Sequence, residues 1–344
     1  MGRTTGADNQ LLTQPATPTT PRPERNRRRR TTRTTLAALI AAAVVLPLSA
    51  ATRPTIPAPP PPTLAPLTAT TLDSTYKANR TNATEAAAMA TTHGDHKRAA
   101  ADDTLASPSH HLLHFDGRGA GRITEVFGDL AKATRVAVLV PGSDTSIDTY
   151  DRFRATALSL HQRLDNTAPK NTRTAVIAWL GYETPATISP TVLTSGRAAQ
   201  AAPQLRDFVA DLHRITGPLT RISLLCHSYG TVVCGQAARR LDVSDIALVG
   251  SPGTGADKAA DLHTAARVWA ARGADDWIAE VPHVRTDFFG TTVGFGTDPV
   301  SPTFGARVFA AGAGGHSDYF RPGSVSLTNL ARIVLGETKE VGRG

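Results

Sequence analysis

The residues Cys226-His227-Ser228-Tyr229-Gly230 carry the sharpest chemical signal in the chain. They stand where an apolar run, Arg221 to Cys226, gives way to an amphipathic one, Tyr229 to Leu241. A serine on a tight strand-to-helix turn lifts its hydroxyl above a sheet edge. The first N–H groups of the helix then face any negative charge that develops beside it. Such a turn needs small residues two before and two after the serine. Gly230 meets this, and Cys226, small though not glycine, takes the other place. The plain alternative is an ordinary turn with a chance serine. The agreement of strand, turn and helix favours a nucleophile.

A serine nucleophile needs a base, and the base needs an acid to orient it. When the serine lies on a strand-to-helix turn, the chain order is serine, then acid, then histidine. Past the strand-like Arg267 to Ala271 comes Gly273-Ala274-Asp275-Asp276-Trp277-Ile278, which places a carboxylate at a sheet edge. Asp276 is the first choice, Asp275 the second, and Asp257 a more distant one. The base is His316, in the Gly-rich stretch Gly312 to Tyr319. His283 follows the acid too closely for the chain to return. His227, whose side chain points away from that of its neighbour Ser228, reads as structural.

Acyl transfer also needs two N–H donors for the oxyanion. Tyr229, just after the nucleophile, supplies one. The turn Val140-Pro141-Gly142-Ser143 supplies the other, through Ser143 or Gly142. Trp179, Tyr182 and Pro185 follow another strand-like run and are expected to wall a substrate pocket. The stretch Gly290 to Phe309, with Asp298-Pro299, either covers the site or packs in the core or at the rim. Cys226 and Cys234 are expected to be unbridged, small packing residues.

Three other patterns carry less. Gly250 to Gly255 resembles a phosphate loop, but Ala256-Asp257 stand where Lys and Ser or Thr belong. His110, His111 and His114 lack the acidic or cysteine partners of a metal site. With only two cysteines, a disulfide scaffold or cysteine-rich metal site is excluded.

The elements around these residues alternate. Strands are expected at Arg135 to Val140, Thr174 to Leu180, Arg221 to Cys226, Asp245 to Gly250 and Arg267 to Ala271. Helices are expected at Ser146 to Leu164, Ala199 to Ile215, Tyr229 to Leu241 and Ser326 to Leu335. Fully apolar strands between helices imply an α/β fold, a parallel sheet covered on both faces.

The net charge of +8 looks like that of a nucleic-acid binder, but residues 1–34 hold eight arginines and two acids and so carry +6 of it. The remainder is near neutral, which removes nucleic acid as an expected partner. Residues 1–34 read as a disordered basic tail and 35–51 as a signal sequence or membrane anchor. The apolar run Leu36 to Ala51 is shorter than the roughly 20 residues a spanning helix needs. A Pro-rich linker follows over 52–72, then a weakly patterned or helical segment over 73–110, then the main domain over 111–338.

Several motifs resemble an actinobacterial α/β-hydrolase family known as a domain of unknown function. They are LLHFD (Leu112 to Asp116), GDLAKA before VAVLVPG, WLGYETP, CHSYGTVVCG, LVGSPGTGA, VWAARGADDWI, FGTDPVSPTFGARVF and GHSDYF. They run in order over about 112–336. That family's turn usually carries glycine where Cys226 stands. The resemblance implies an α/β-hydrolase fold, a mostly parallel central sheet with helices on both faces, and it supports Ser228 and His316. The expectation is an exported or cell-surface serine hydrolase acting on a small-molecule or lipid ester. No metal or organic cofactor is expected. Membrane or cell-wall association would run through the N-terminal segment. The alternative is a non-catalytic binding or scaffold protein on the same fold.

Overall fold

The computed structural model describes residues 56–344 apart from Pro282, Val284, Arg285, Phe289 and Gly290. The expected basic tail, the signal or anchor and the first linker residues lie outside the described residues.

The sheet is built from β1 (His111–Asp116), β2 (Arg122–Phe127), β3 (Arg135–Val140), β4 (Thr174–Leu180), β5 (Arg221–His227), β6 (Asp245–Val249) and β7 (Arg267–Ala271). A short pair, β8 (Thr286–Phe288) and β9 (Thr291–Val293), stands apart, and β10 (Arg307–Val308) completes the main sheet. The order is β1-β2-β4-β3-β5-β6-β7-β10. β1 pairs antiparallel with β2 and β2 with β4, whereas every other neighbour pair is parallel.

Side chains alternate strictly across this sheet, as the pleat requires. Val136, Val138 and Val140 of β3, with Ile222, Leu224 and Cys226 of β5, enter one core; Ala137, Leu139 and Leu225 enter the other. The first core is closed by α4 (Gly196–Thr216) and α5 (Gly230–Ala237), the second by α3 (Tyr150–Thr167) and α6 (Val325–Leu335). Both faces being covered is why the central strands read as unbroken apolar runs.

The five expected strands and four expected helices are all present, with shifted ends. α5 stops at Ala237 rather than Leu241, and the chain turns back through Arg240, at φ 68°, toward β6. The β1–β2 hairpin escaped the sequence pattern because two buried acids interrupt it. Asp116 is held by Arg118 and Arg122, and Glu125 by Tyr150 and Arg154. Paired and hydrogen-bonded in this way, a carboxylate can sit inside a strand.

Residues 73–110 lie almost wholly in a helical hairpin, α1 (Leu72–His93) and α2 (His96–Ala106). Its buried stripe is Ala83, Ala86, Ala87 and Ala90, too weakly apolar to show in the sequence. Arg98 anchors it. The guanidinium is buried, pairs with Asp148 at 2.8 Å, and donates to the carbonyls of Gly117 and Gly119. The described part of the Pro-rich linker is not a free spacer, since Asn82 donates to the Pro60 carbonyl and Leu67 packs against the core. No helix among the described residues is long and apolar enough to cross a membrane.

Candidate active site

The parallel strands end level with one another. Val140 lies opposite Cys226, His227 opposite Val249, and Val249 opposite Ala271. The segments leaving β3, β5, β6 and β7 therefore converge on one edge. Ser228 stands there at φ 53°, a left-handed conformation that costs a non-glycine residue of the order of 1–3 kcal/mol. The surrounding packing enforces it. A Cβ on Gly230 would come within 2.5 Å of the Val140 and Pro141 carbonyl oxygens, and one on Gly142 within 2.6 Å of the Ser228 Cβ. Only glycine lets the two turns approach this closely.

Ser228, His316 and Asp276 are brought together. His316 Nε2 lies 2.9 Å from Ser228 Oγ, and His316 Nδ1 lies 2.9 Å from Asp276 Oδ1. Asp276 is buried. Burial alone would push its pKa up. Hydrogen bonds from His316, the Tyr319 hydroxyl and the Ile278 N–H outweigh that and hold it below the usual carboxylate value. Asp275 is exposed, and Asp257 lies beside Gly296 instead. The sequence pattern alone does not single out Tyr319. Its hydroxyl donates to Asp276 Oδ2 at 2.5 Å and accepts from the Gly273 N–H at 3.0 Å, which ties the acid's turn to the histidine's loop. Its place three residues after His316, within one turn, is the signal that could have found it.

Gly142 and Ser143 lie beside Ser228 at the cavity, and Tyr229 is the cap residue just before α5. The positions expected to supply oxyanion donors thus flank the hydroxyl. The expected pocket wall is corrected. Trp179 and Tyr182 are buried and do not line this cavity. Trp179 belongs to the alternating set of β4 that faces α4, and it stacks on Tyr182 and Phe208. Tyr182 acts from behind instead, donating its hydroxyl to the Pro141 carbonyl at 2.7 Å and so bracing the turn that holds Gly142.

Cys226 and Cys234 form a disulfide, contrary to the sequence expectation. Cys226 points to the same face of the sheet that α5 covers, and Cys234 lies one turn into that helix. Their Cα atoms are 6.5 Å apart, within bridging range. The bridge ties the strand before Ser228 to the helix after it, where glycine would offer no link. Thiol titration of denatured, unreduced protein is expected to find no free thiol; finding two would refute the bridge.

His227 is more than filler. Its Nε2 lies 2.6 Å from the His316 carbonyl oxygen, which can only accept, so Nε2 carries the proton. The ring also sits 4.8 Å from that of His316 and 5.8 Å from that of Tyr319. Enclosure and the neighbouring His316 hold its pKa down, to about 4. Between pH 6.5 and about 4 the unfolded chain takes up a proton that folded His227 refuses, so stability falls as pH falls through that window. Denaturant titrations are expected to show this fall in the wild type and a shallower one in His227→Gln. Parallel curves would assign the effect to other groups.

A cavity of about 540 Å³ opens over Ser228, lined by Phe153, Leu193, Trp277, Val281, Phe295 and Phe320 among others. The stretch Gly290 to Phe309 divides between the two expected roles. Phe295 lines the cavity, Phe304 and Phe309 are buried, and Asp298 pairs with Arg272. In the segment resembling a phosphate loop, Thr254 and Gly255 donate their N–H groups to the Phe295 carbonyl, so those donors serve packing. The three clustered histidines diverge. His110 approaches Glu125 at 2.8 Å, the His111 ring sits tilted against that of Tyr76, and His114 lines a separate groove.

Residues 116–286 match a family model described as alpha/beta hydrolase. The chain is 31% identical over 252 residues to an uncharacterized protein of Mycobacterium tuberculosis, covering 63% of this chain and 37% of that one. It is 33% identical over 178 residues to an uncharacterized protein of Mycobacterium bovis, covering 48% of this chain and 66% of that one. The chain thus spans little more than a third of the length of the first relative. Among solved structures, an α/β serine hydrolase without lid from Xanthomonas campestris aligns at 14% identity and a TM-score of 0.42, over 67% of this chain and 95% of that one. Esterase PE8 aligns at 17% and 0.41, over 61% and 95%.

Proposed function

We propose, from a chain that belongs to the alpha/beta hydrolase family over residues 116–286, that the protein is a serine hydrolase cleaving carboxylic esters. The observation that carries this is the continuous hydrogen-bonded run from Ser228 Oγ through His316 to Asp276, on a serine held at positive φ. His316 Nε2 takes the Ser228 proton as Oγ attacks the ester carbonyl carbon. The carbonyl oxygen becomes an oxyanion, met by the Tyr229 N–H and that of Ser143 or Gly142. Asp276 stabilises the imidazolium without accepting its proton. His316 then protonates the departing alkoxide, leaving an acyl-Ser228. Water, deprotonated by His316, attacks that acyl group and releases the acid and the free serine.

The non-catalytic alternative drew support from Cys226 at a position expected to be glycine, and the disulfide gives that cysteine a structural reason. A fluorophosphonate probe is expected to label the wild type at Ser228, and a panel of esters of graded acyl length to reveal turnover. Absence of both labelling and turnover would return the fold to a binding role.

Export to the medium or the cell surface is part of this proposal. It rests on the basic and apolar N-terminal segments and on the disulfide, which persists in oxidising compartments. Protein recovered from the medium is expected to begin near Thr52. Full-length protein in the membrane fraction would indicate a retained anchor, and full-length protein in the cytosol alone would refute export.

A further inference from the structure

We propose that the mouth of the cavity is a lipid-docking surface from which the ester substrate is drawn. This rests on the hydrolase reading above and narrows its substrate to esters presented in a lipid phase. Six large apolar side chains are exposed among the described residues; two of them line the cavity and a third is next in the chain to a lining residue. Leu193 and Trp277, 52% and 51% exposed, line the cavity from opposite segments of the chain. Ile188, 89% exposed, follows Thr187, which lines the same cavity and donates its N–H to Asp144 there. Exposed apolar residues scattered singly need no explanation, but a group around one opening does.

The occupant follows from what lies beneath. The apolar rim is continuous with a cavity lined by Phe153, Phe295 and Phe320 that leads to Ser228. An acyl chain leaving a lipid phase would stay among apolar groups along that path. A tryptophan at such a rim suits the boundary between lipid and water, where its ring is apolar and its N–H is wet. Arg152 is the only lysine or arginine lining the cavity, and its guanidinium has no hydrogen-bond or ion-pair partner among the described residues. A phospholipid headgroup phosphate complements it.

The test uses the full chain carrying Ser228→Ala, so that no lipid is consumed, and vesicles of phosphatidylcholine with phosphatidylglycerol. The chain has three tryptophans; Trp179 and Trp269 are buried, and Trp277 alone is exposed. The apolar run Leu36 to Ala51 contains none, so attachment through it leaves the emission unmoved. Vesicles are expected to shift the emission to shorter wavelength and to reduce acrylamide quenching several-fold. Ile188→Asp is expected to raise the vesicle concentration required several-fold. Cosedimentation with unchanged emission would mean attachment by the N-terminal run alone and would overturn the proposal. A shift that follows protein concentration without vesicles would assign the patch to a second copy and would also overturn it. If the shift occurs but the wild type neither turns over a water-soluble ester nor takes the probe, docking stands and the hydrolase reading falls.

Discussion

Ser228→Ala is expected to abolish labelling by a fluorophosphonate and to lower kcat by about 10⁶-fold, the loss that follows when a serine nucleophile is removed from such a unit. His316→Ala is expected to be about as damaging, because the hydroxyl is a poor nucleophile until His316 Nε2, 2.9 Å away, receives its proton. The double variant should then be little worse than either single one, since the two side chains perform one step. Substrate binding should change far less than kcat in Ser228→Ala, because the cavity wall loses only one hydroxyl. Full activity in Ser228→Ala would refute the mechanism outright.

Asp276→Asn is the second large effect, with an expected loss of roughly 10⁴-fold in kcat. The asparagine keeps the shape of the site but presents an amide where His316 needs an acceptor. The imidazole then turns to the wrong tautomer, and the imidazolium loses its counter-charge. Asp275→Asn is expected to do little, since that side chain is exposed and His316 Nδ1 bonds to Asp276. Tyr319→Phe removes one donor to the acid and is expected to cost about tenfold, the worth of a single hydrogen bond. Asp276 is held below the usual carboxylate range, so it stays charged as the pH falls toward that range. The acid limb of the kcat/KM profile is therefore not expected to report Asp276, and Tyr319→Phe should leave the position of that limb nearly unchanged. If Asp275→Asn proves the damaging change, the hydrogen bond from His316 to Asp276 is not the functional one.

The central strands and the covering helices were legible because local pattern and global packing agree there. Fully apolar runs mean burial on both faces, and the runs 135–140, 174–180, 221–227, 245–249 and 267–271 each became a strand of the main sheet. Ser228 was legible for the same kind of reason, since the residues that permit a tight turn lie within two positions of it. Asp276 and His316 needed only chain order and a nearby strand end or Gly-rich loop to be nominated.

Contacts between distant segments were a different matter. The β1–β2 hairpin hides its period behind Asp116 and Glu125, whose burial depends on arginines and a tyrosine brought to them by folding. Whether Cys226 meets Cys234 depends on which face of β5 the next helix covers, and eight residues of sequence separation do not state that. Tyr182 looked like a wall of the pocket because it follows a strand at the right edge of the sheet. The direction of its side chain, set by the turn after β4, made it a brace for Pro141 instead. Spacing along the chain constrains neighbours within a turn or a strand. Which atoms meet across the sheet edge, His227 with the His316 carbonyl or Tyr319 with Asp276, is set by packing, and packing belongs to the whole chain at once.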